Sequence, residues 1–280
     1  MEKQNRKERD KRKPRYLRNF YIYLHYVSMI AYTFAPCTIY SESFFSKKPI
    51  FYLFMNSLLY IAMHFYKESC GYPGYQTEEP AKTDGLFYSQ DALMHCQVRA
   101  CYCRECKRII LRRDHHCPWT SNCIGRDNNL AFLYYTVFET LMGFFILLDA
   151  IRAIYICWFE ERIYFKSILT MFMGGVGLFD EVFVGGLIYQ NFRNAMKNVT
   201  VWENRCRESI TYLKEYPPWS SPFNKGWKEN LKEFFTMKEK KMEWPLPGRP
   251  SLEDFKPPQE FLDMMEREQN KKDHHHHHTH

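Results

Sequence analysis

Cys103-Arg104-Glu105-Cys106, followed by Asp114-His115-His116-Cys117-Pro118-Trp119-Thr120-Ser121-Asn122-Cys123, is the stretch from which the rest of the chain is best read. Six cysteines lie between positions 96 and 123 (Cys96, Cys101, Cys103, Cys106, Cys117 and Cys123), out of ten in 280 residues. Ten is too dilute for a disulfide scaffold, and the clustering points to metal or thiol chemistry instead. Cys103-x-x-Cys106 has the spacing with which two thiolates share one tetrahedral zinc. His115, His116, Cys117 and Cys123 follow, so the stretch offers more donors than the four that zinc takes. Either Cys117 is one more ligand of a structural knuckle, or a Cys–His pair stands outside the metal shell. In the second case Asp114, His115 and Cys117 supply an orienting carboxylate, a base and a thiol, whose thiolate is the reactive form.

On either side the chain turns apolar. Phe20–Tyr40 contains no Lys, Arg, Asp or Glu; Ile50–Tyr66 is interrupted only by His64; Leu130–Leu148 carries one acid, Glu139; Ser167–Phe192 carries Asp180 and Glu181. A hydrocarbon core of about 30 Å needs about 20 helical residues, so four such runs with basic flanks predict four membrane spans. The averages hide this. With 45% apolar and 25% charged residues and a mean hydropathy of −0.50, the chain reads as soluble and mildly basic. Those averages do exclude collagen-like, low-complexity and highly charged disordered chains. The 18% of aromatic residues suits the membrane–water interface.

The basic residues set the orientation. The N-terminal tail is dense in Lys and Arg, the loop between the first two runs has Lys47 and Lys48, and the 67–129 loop is basic again from Arg104 to Arg113. The positive-inside rule then places both termini and the 67–129 loop in the cytosol. The expected organisation is a basic tail (1–19), spans one and two (20–66), a cytosolic cysteine-rich domain (67–129), spans three and four (130–192) and a cytosolic, membrane-associated tail (193–280). The fold class is thus an all-α polytopic membrane protein with a zinc-binding domain between its second and third spans. In the tail, Trp219, Phe223, Trp227, Phe234, Phe235 and Trp244 among lysines suit a bilayer surface, or a small helical unit packed on the central loop.

The run Asp114-His115-His116-Cys117-Pro-Trp, with Asn122-Cys123-Ile124-Gly125-x-x-Asn128-x-x-x-Phe132, resembles the Asp-His-His-Cys (DHHC) protein S-acyltransferases, the palmitoyltransferases. Thr200-Val201-Trp202-Glu203 is similar to that family's Thr-Thr-x-Glu motif, and Gly226 to Phe234, around Asn230, to its C-terminal Asn-containing element. The resemblance implies one zinc on Cys103, Cys106, His116 and Cys123. It makes Cys117 the acyl-accepting nucleophile, His115 its base and Asp114 the residue orienting His115. It also implies palmitoyl-CoA or a similar acyl-CoA as donor and cysteines of membrane-associated proteins as acceptors, in a Golgi or endoplasmic reticulum membrane.

Three departures stand out. Ser89, Ala92, Tyr102 and Ile109 occupy the positions of a second zinc site, which is therefore expected to be lost, with Tyr102 and Ile109 supplying apolar packing instead; a relocated site on His95, Cys96 and Cys101 is the alternative. Val201 replaces a Thr, removing a hydroxyl. Tyr72-Pro73-Gly74 replaces Asp-Pro-Gly. Arg112, Arg113 and Arg126 are candidates for the CoA phosphates. The intramembrane acids Glu139, Asp180 and Glu181 are functional candidates by position and keep an ion or metal transporter in view, as does the His-rich end, His274–His278 with His280. An inactive zinc-containing membrane adapter is the other alternative. Four spans argue against a nucleic-acid-binding zinc finger.

Overall fold

The computed structural model describes residues 16–34, 49–160, 164–259 and 261–267. The basic tail to residue 15, the first inter-helix loop, the His-rich end and the side chain of Asp180 lie outside the described set. Four long helices coincide with the four apolar runs: α1 Tyr16–Phe34, α2 Pro49–Ser69, α3 Asn129–Tyr155 and α4 Tyr164–Lys197. A π-helical turn, Ile156–Glu160, extends α3. Two short helices follow, α5 Val201–Arg205 and α6 Trp227–Thr236.

Residues Met55, Leu58, Leu59, Ala62, Met63 and Tyr66 are buried, the i, i+3, i+4, i+7 stripe of a helix with one packed face. That stripe meets Phe132, Tyr135 and Met142 of α3, and the Phe65 and Phe138 rings stack between the two helices at 5.9 Å. Helix α3 is central, packing on both α2 and α4. In the second contact Glu181 reaches over Gly143, where a Cβ would lie 1.7 Å from Glu181 Oε1 and would push that flexible side chain aside. Outward, α1 exposes Phe20, Tyr23, Leu24 and Val27, and α4 exposes Phe172, Leu178, Phe179 and Val182. Among the described residues, α3 alone passes a length-and-hydropathy test for crossing a membrane, with a mean hydropathy of 1.7. Tyr weighs as polar on such scales, and α1 and α2 are rich in it.

The central segment departs from the all-α expectation. It is built from three antiparallel two-stranded hairpins: β1 Tyr88–Ser89 with β2 Met94–His95, β3 Cys101–Cys103 with β4 Arg108–Ile110, and β5 His115–Cys117 with β6 Asn122–Ile124. The reason is local, since a metal knuckle needs donors facing each other across a tight turn, which a hairpin supplies and a helix does not. Asparagines fasten these hairpins to the end of α2. Asn122 Nδ2 donates to the Gly71 carbonyl at 2.6 Å, and Asn128 Nδ2 donates to those of Ser69 at 2.7 Å and Cys123 at 3.0 Å. At Gly125 a Cβ would stand 2.6 Å from the Pro73 oxygen and 2.7 Å from Ile110, so β6 can pass under the Tyr72–Gly74 turn only with glycine there. In that turn the Tyr72 hydroxyl accepts from the Tyr75 N–H at 3.0 Å, supplying the side-chain acceptor that an Asp would otherwise bring.

Candidate active site and metal centre

The register of β5 on β6 sets His116 directly across from Cys123, and Cys117 across from Asn122. The β3–β4 hairpin brings up Cys103 and Cys106, its turn closed by the Lys107 N–H on the Cys103 carbonyl at 2.8 Å. The His116 Nδ1 then lies 3.7, 3.4 and 3.7 Å from the Sγ atoms of Cys103, Cys106 and Cys123, and the Cys106 and Cys123 sulfurs are 3.6 Å apart. A tetrahedral zinc with Zn–S near 2.3 Å and Zn–N near 2.0–2.1 Å requires donor separations of about 3.5–3.8 Å. The donor set and its spacing therefore fit zinc, and these four residues would hold it.

Among the described residues this is the one such cluster, so His95, Cys96 and Cys101 do not assemble a second. His95 instead hydrogen-bonds Glu79. Cys96, Ala100 and Ile109 form a small apolar core flanked by Ala92, Met94 and Tyr102, the packing expected where a second zinc is lost. Beside it opens a cavity of about 510 Å³.

One residue before the metal hairpin, Asp114 Oδ2 hydrogen-bonds His115 Nδ1 at 2.8 Å, while Oδ1 accepts the Val201 N–H at 2.8 Å. The Trp202 N–H donates to the Asp114 carbonyl at 3.0 Å. Replacing Thr with Val at 201 thus removes a hydroxyl but keeps a backbone bond to the carboxylate. With Nδ1 engaged by Asp114, the other ring nitrogen of His115 is left to serve the Cys117 thiol two residues on. Burial alone pulls His115 down, but its bonds to Asp114 and Cys117 outweigh that and raise it to about 9. Burial pushes the Cys117 thiol up, but His115 and the Thr120 amide bring it below the ordinary thiol range. Burial likewise pushes Asp114 up, and the His115 bond reverses it. Cys117 is itself buried, in the apolar cluster of α2 and α3 with Leu59, Met63, Phe132 and Met142. The Phe132 ring stands edge-on to His115 at 5.5 Å.

Helix α5 is fixed in turn by a buried ion pair. Arg99, fully buried, donates from Nε and Nη2 to the two Glu203 oxygens, both at 2.8 Å, and from Nη1 to Asn198 Oδ1 at 2.8 Å. Glu203 and Thr200 form a capping box at the start of α5. The Arg99 guanidinium lies 4.2 Å from the Phe223 ring centroid and 5.0 Å from that of Trp244. Asn198 and Trp244 both donate to Glu233 of α6, and Asn230 Nδ2 donates to the Met196 carbonyl. Of the two readings of the tail, inward packing accounts for Phe223, Phe234 and Trp244, while Trp227 remains 58% exposed. Arg99 is not marked out by the sequence, and its role here is structural.

The proposed phosphate cations are committed elsewhere. Arg112 is buried against Phe234 and Trp244, and that burial lowers its pKa to about 10. Arg113 donates to Cys101 Sγ at 3.7 Å. Arg126 forks onto Asp127 at 2.7 and 3.2 Å. Each of the three thus helps to hold the hairpins to their surroundings.

The site so assembled joins a His–Asp-assisted thiol to a zinc-type knuckle. Residues 82–207 match the family model described as DHHC palmitoyltransferase. The chain is 28% identical over 201 residues to the human palmitoyltransferase ZDHHC12, an alignment covering 64% of this chain and 69% of that one. It is 38% identical over 87 residues to the palmitoyltransferase ZDHHC16A of Danio rerio, covering 30% of this chain and 22% of the relative. It is 27% identical over 180 residues to ZDHHC17 of Danio rerio, covering 57% and 28%. The chain thus spans well under half the length of two of these three relatives. The match over residues 82–207 agrees with the resemblance read from the sequence.

Proposed function

We propose that this chain is a protein S-acyltransferase that moves a long-chain acyl group, palmitoyl in the first instance, from acyl-CoA to cysteines of membrane-associated proteins. The observation that carries the reading is the unbroken line from the Val201 amide through Asp114 and His115 to the Cys117 thiol, set at the edge of an apolar cluster. His115 takes the thiol proton, and the Cys117 sulfur attacks the thioester carbonyl. CoA leaves as its thiol, and an acyl-Cys117 remains. The acceptor thiol then gives its proton to His115 and attacks that thioester, returning Cys117. Asp114 keeps the ring oriented through both steps. Zinc on Cys103, Cys106, His116 and Cys123 would lock β5 to β6 on either side of the nucleophile. The acyl chain would lie against α2 and α3, where each buried methylene is worth about 0.8 kcal/mol.

Helices α1 to α4 are proposed as four spans, supported by the outward Phe, Leu and Val side chains of α1 and α4, with both termini cytosolic in a Golgi or endoplasmic reticulum membrane. The intact catalytic set speaks against an inert adapter. The test is to give labelled palmitoyl-CoA to the purified protein and look for hydroxylamine-sensitive label that is absent in Cys117→Ser. Label that survives this substitution sinks the nucleophile assignment.

A further inference from the structure

A buried polar cluster ties α1 to α3 below the nucleophile. His25 Nε2 hydrogen-bonds Glu139 Oε1, the Tyr21 hydroxyl donates to the same oxygen at 3.3 Å, and the Tyr21 and Tyr135 hydroxyls hydrogen-bond each other. Glu139 is 2% exposed, and its second oxygen, Oε2, is buried with no hydrogen-bond partner. Holding α1 on α3 needs only the oxygen already engaged. An unpaired buried carboxylate oxygen carries an uncompensated desolvation penalty, and an ionisable group at this depth is a functional candidate by default. The cluster is continuous with the apolar wall around Cys117. The Tyr21 ring stacks on Tyr66 at 5.0 Å, Tyr66 meets Tyr135 at 5.2 Å, and both Tyr66 and Tyr135 belong to the cluster that contains Cys117.

We propose that Glu139, positioned by His25 and Tyr21, is the polar end of the acyl site, and that its Oε2 accepts a hydrogen bond from a hydroxyl group on the acyl chain. This rests on the acyltransferase reading and narrows it to a substrate class, hydroxylated acyl-CoAs. The helix sets the depth. Phe132 shares the Cys117 cluster and touches His115, and Glu139 lies seven residues further along α3, about 10 Å at 1.5 Å per residue. An extended chain covers that distance in roughly eight to ten carbons, so the hydroxyl belongs near that position. A methyl end brings no donor to Oε2, whereas a hydroxyl end pairs it.

The test measures acyl-Cys117 formation with matched donors: ω-hydroxydecanoyl-CoA against decanoyl-CoA, and ω-hydroxydodecanoyl-CoA against dodecanoyl-CoA, with palmitoyl-CoA alongside. In the parent, the hydroxylated member of at least one pair reacts about tenfold faster at low concentration, equivalent to about 1.4 kcal/mol. Glu139→Leu brings that ratio close to one, whatever its absolute rates, and Tyr21→Phe, a milder change, lowers it part of the way. Equal rates within both pairs in the parent would assign Oε2 to a water and overturn the inference alone, as would an unchanged ratio in Glu139→Leu. A parent unlabelled by any donor, palmitoyl-CoA included, would overturn the acyltransferase reading and this inference with it. Because the parent ratio needs no variant, misfolding of Glu139→Leu does not rescue the idea.

Discussion

Glu203→Ala tests whether the C-terminal tail and the nucleophile loop are one structure. In the parent, Arg99 is fully buried and Glu203 is 1% exposed, with two charge-assisted bonds of 2.8 Å between them. Removing Glu203 leaves the guanidinium with Asn198 and two aromatic faces, an uncompensated charge in a closed site. Breaking a buried pair from one side costs about 3–5 kcal/mol. The same change deletes the reciprocal half of the capping box, the Thr200 N–H bond to Glu203 Oε2 at 2.8 Å, at about a further 1 kcal/mol. At roughly 2–4 °C per kcal/mol for a chain of this size, the melting temperature in nanodiscs should fall by about 8–24 °C. Tryptophan fluorescence suits the measurement, because Trp244 sits over Arg99 and Trp202 on α5. Acyl-Cys117 formation should also fall, since α5 carries the Val201 amide to Asp114. The control is Arg99→Met with Glu203→Leu, which removes both charges and should recover most of the loss. A Glu203→Ala melting point within 2 °C of the parent, or a double variant as unstable as the single, would refute the reasoning.

Three other outcomes are expected. Alkylation of Cys117 by iodoacetamide should have its pH midpoint below that of an ordinary thiol, because the bonds from His115 and Thr120 outweigh the burial that pushes the thiol up. A midpoint at about 8.5 or above, as for an ordinary thiol, would contradict this. Metal analysis should give about one zinc per chain, abolished together with folding in Cys123→Ala, since a structural zinc contributes about 10 kcal/mol or more; two zincs would contradict the loss of the second site. Gly125→Ala should destabilise by about 1–3 kcal/mol in denaturant titration, because its Cβ meets the Pro73 oxygen and Ile110 inside van der Waals contact.

What could be read in advance follows the range of the interactions. The zinc donors fall within 21 positions on two adjacent hairpins, so their spacing along the chain already encodes their meeting in space. Asp114, His115 and Cys117 are close in sequence for the same reason. Arg99 and Glu203 are 104 residues apart, and nothing local distinguishes Arg99 from the other basic residues of its loop. Glu139 stood out as an acid inside an apolar run, but its partner His25 is 114 residues away and passed unremarked. The packing of Arg112 on Trp244 and the fork of Arg126 onto Asp127 were not legible, because charge alone does not tell a phosphate ligand from an arginine so engaged. The hairpins were hidden because their strands are two or three residues long, shorter than any periodicity can register.

The anchoring of Asp114 by the Val201 amide also orders events during synthesis. The ribosome makes the nucleophile, its base and the zinc donors first, before α3 and α4 exist. Val201 and Glu203 emerge only after the last residue of α4, and Phe223, Glu233 and Trp244, which enclose Arg99, later still. A nascent chain therefore carries Cys117 and His115 beside a carboxylate that lacks its Val201 anchor until the residues beyond α4 fold back onto the hairpins.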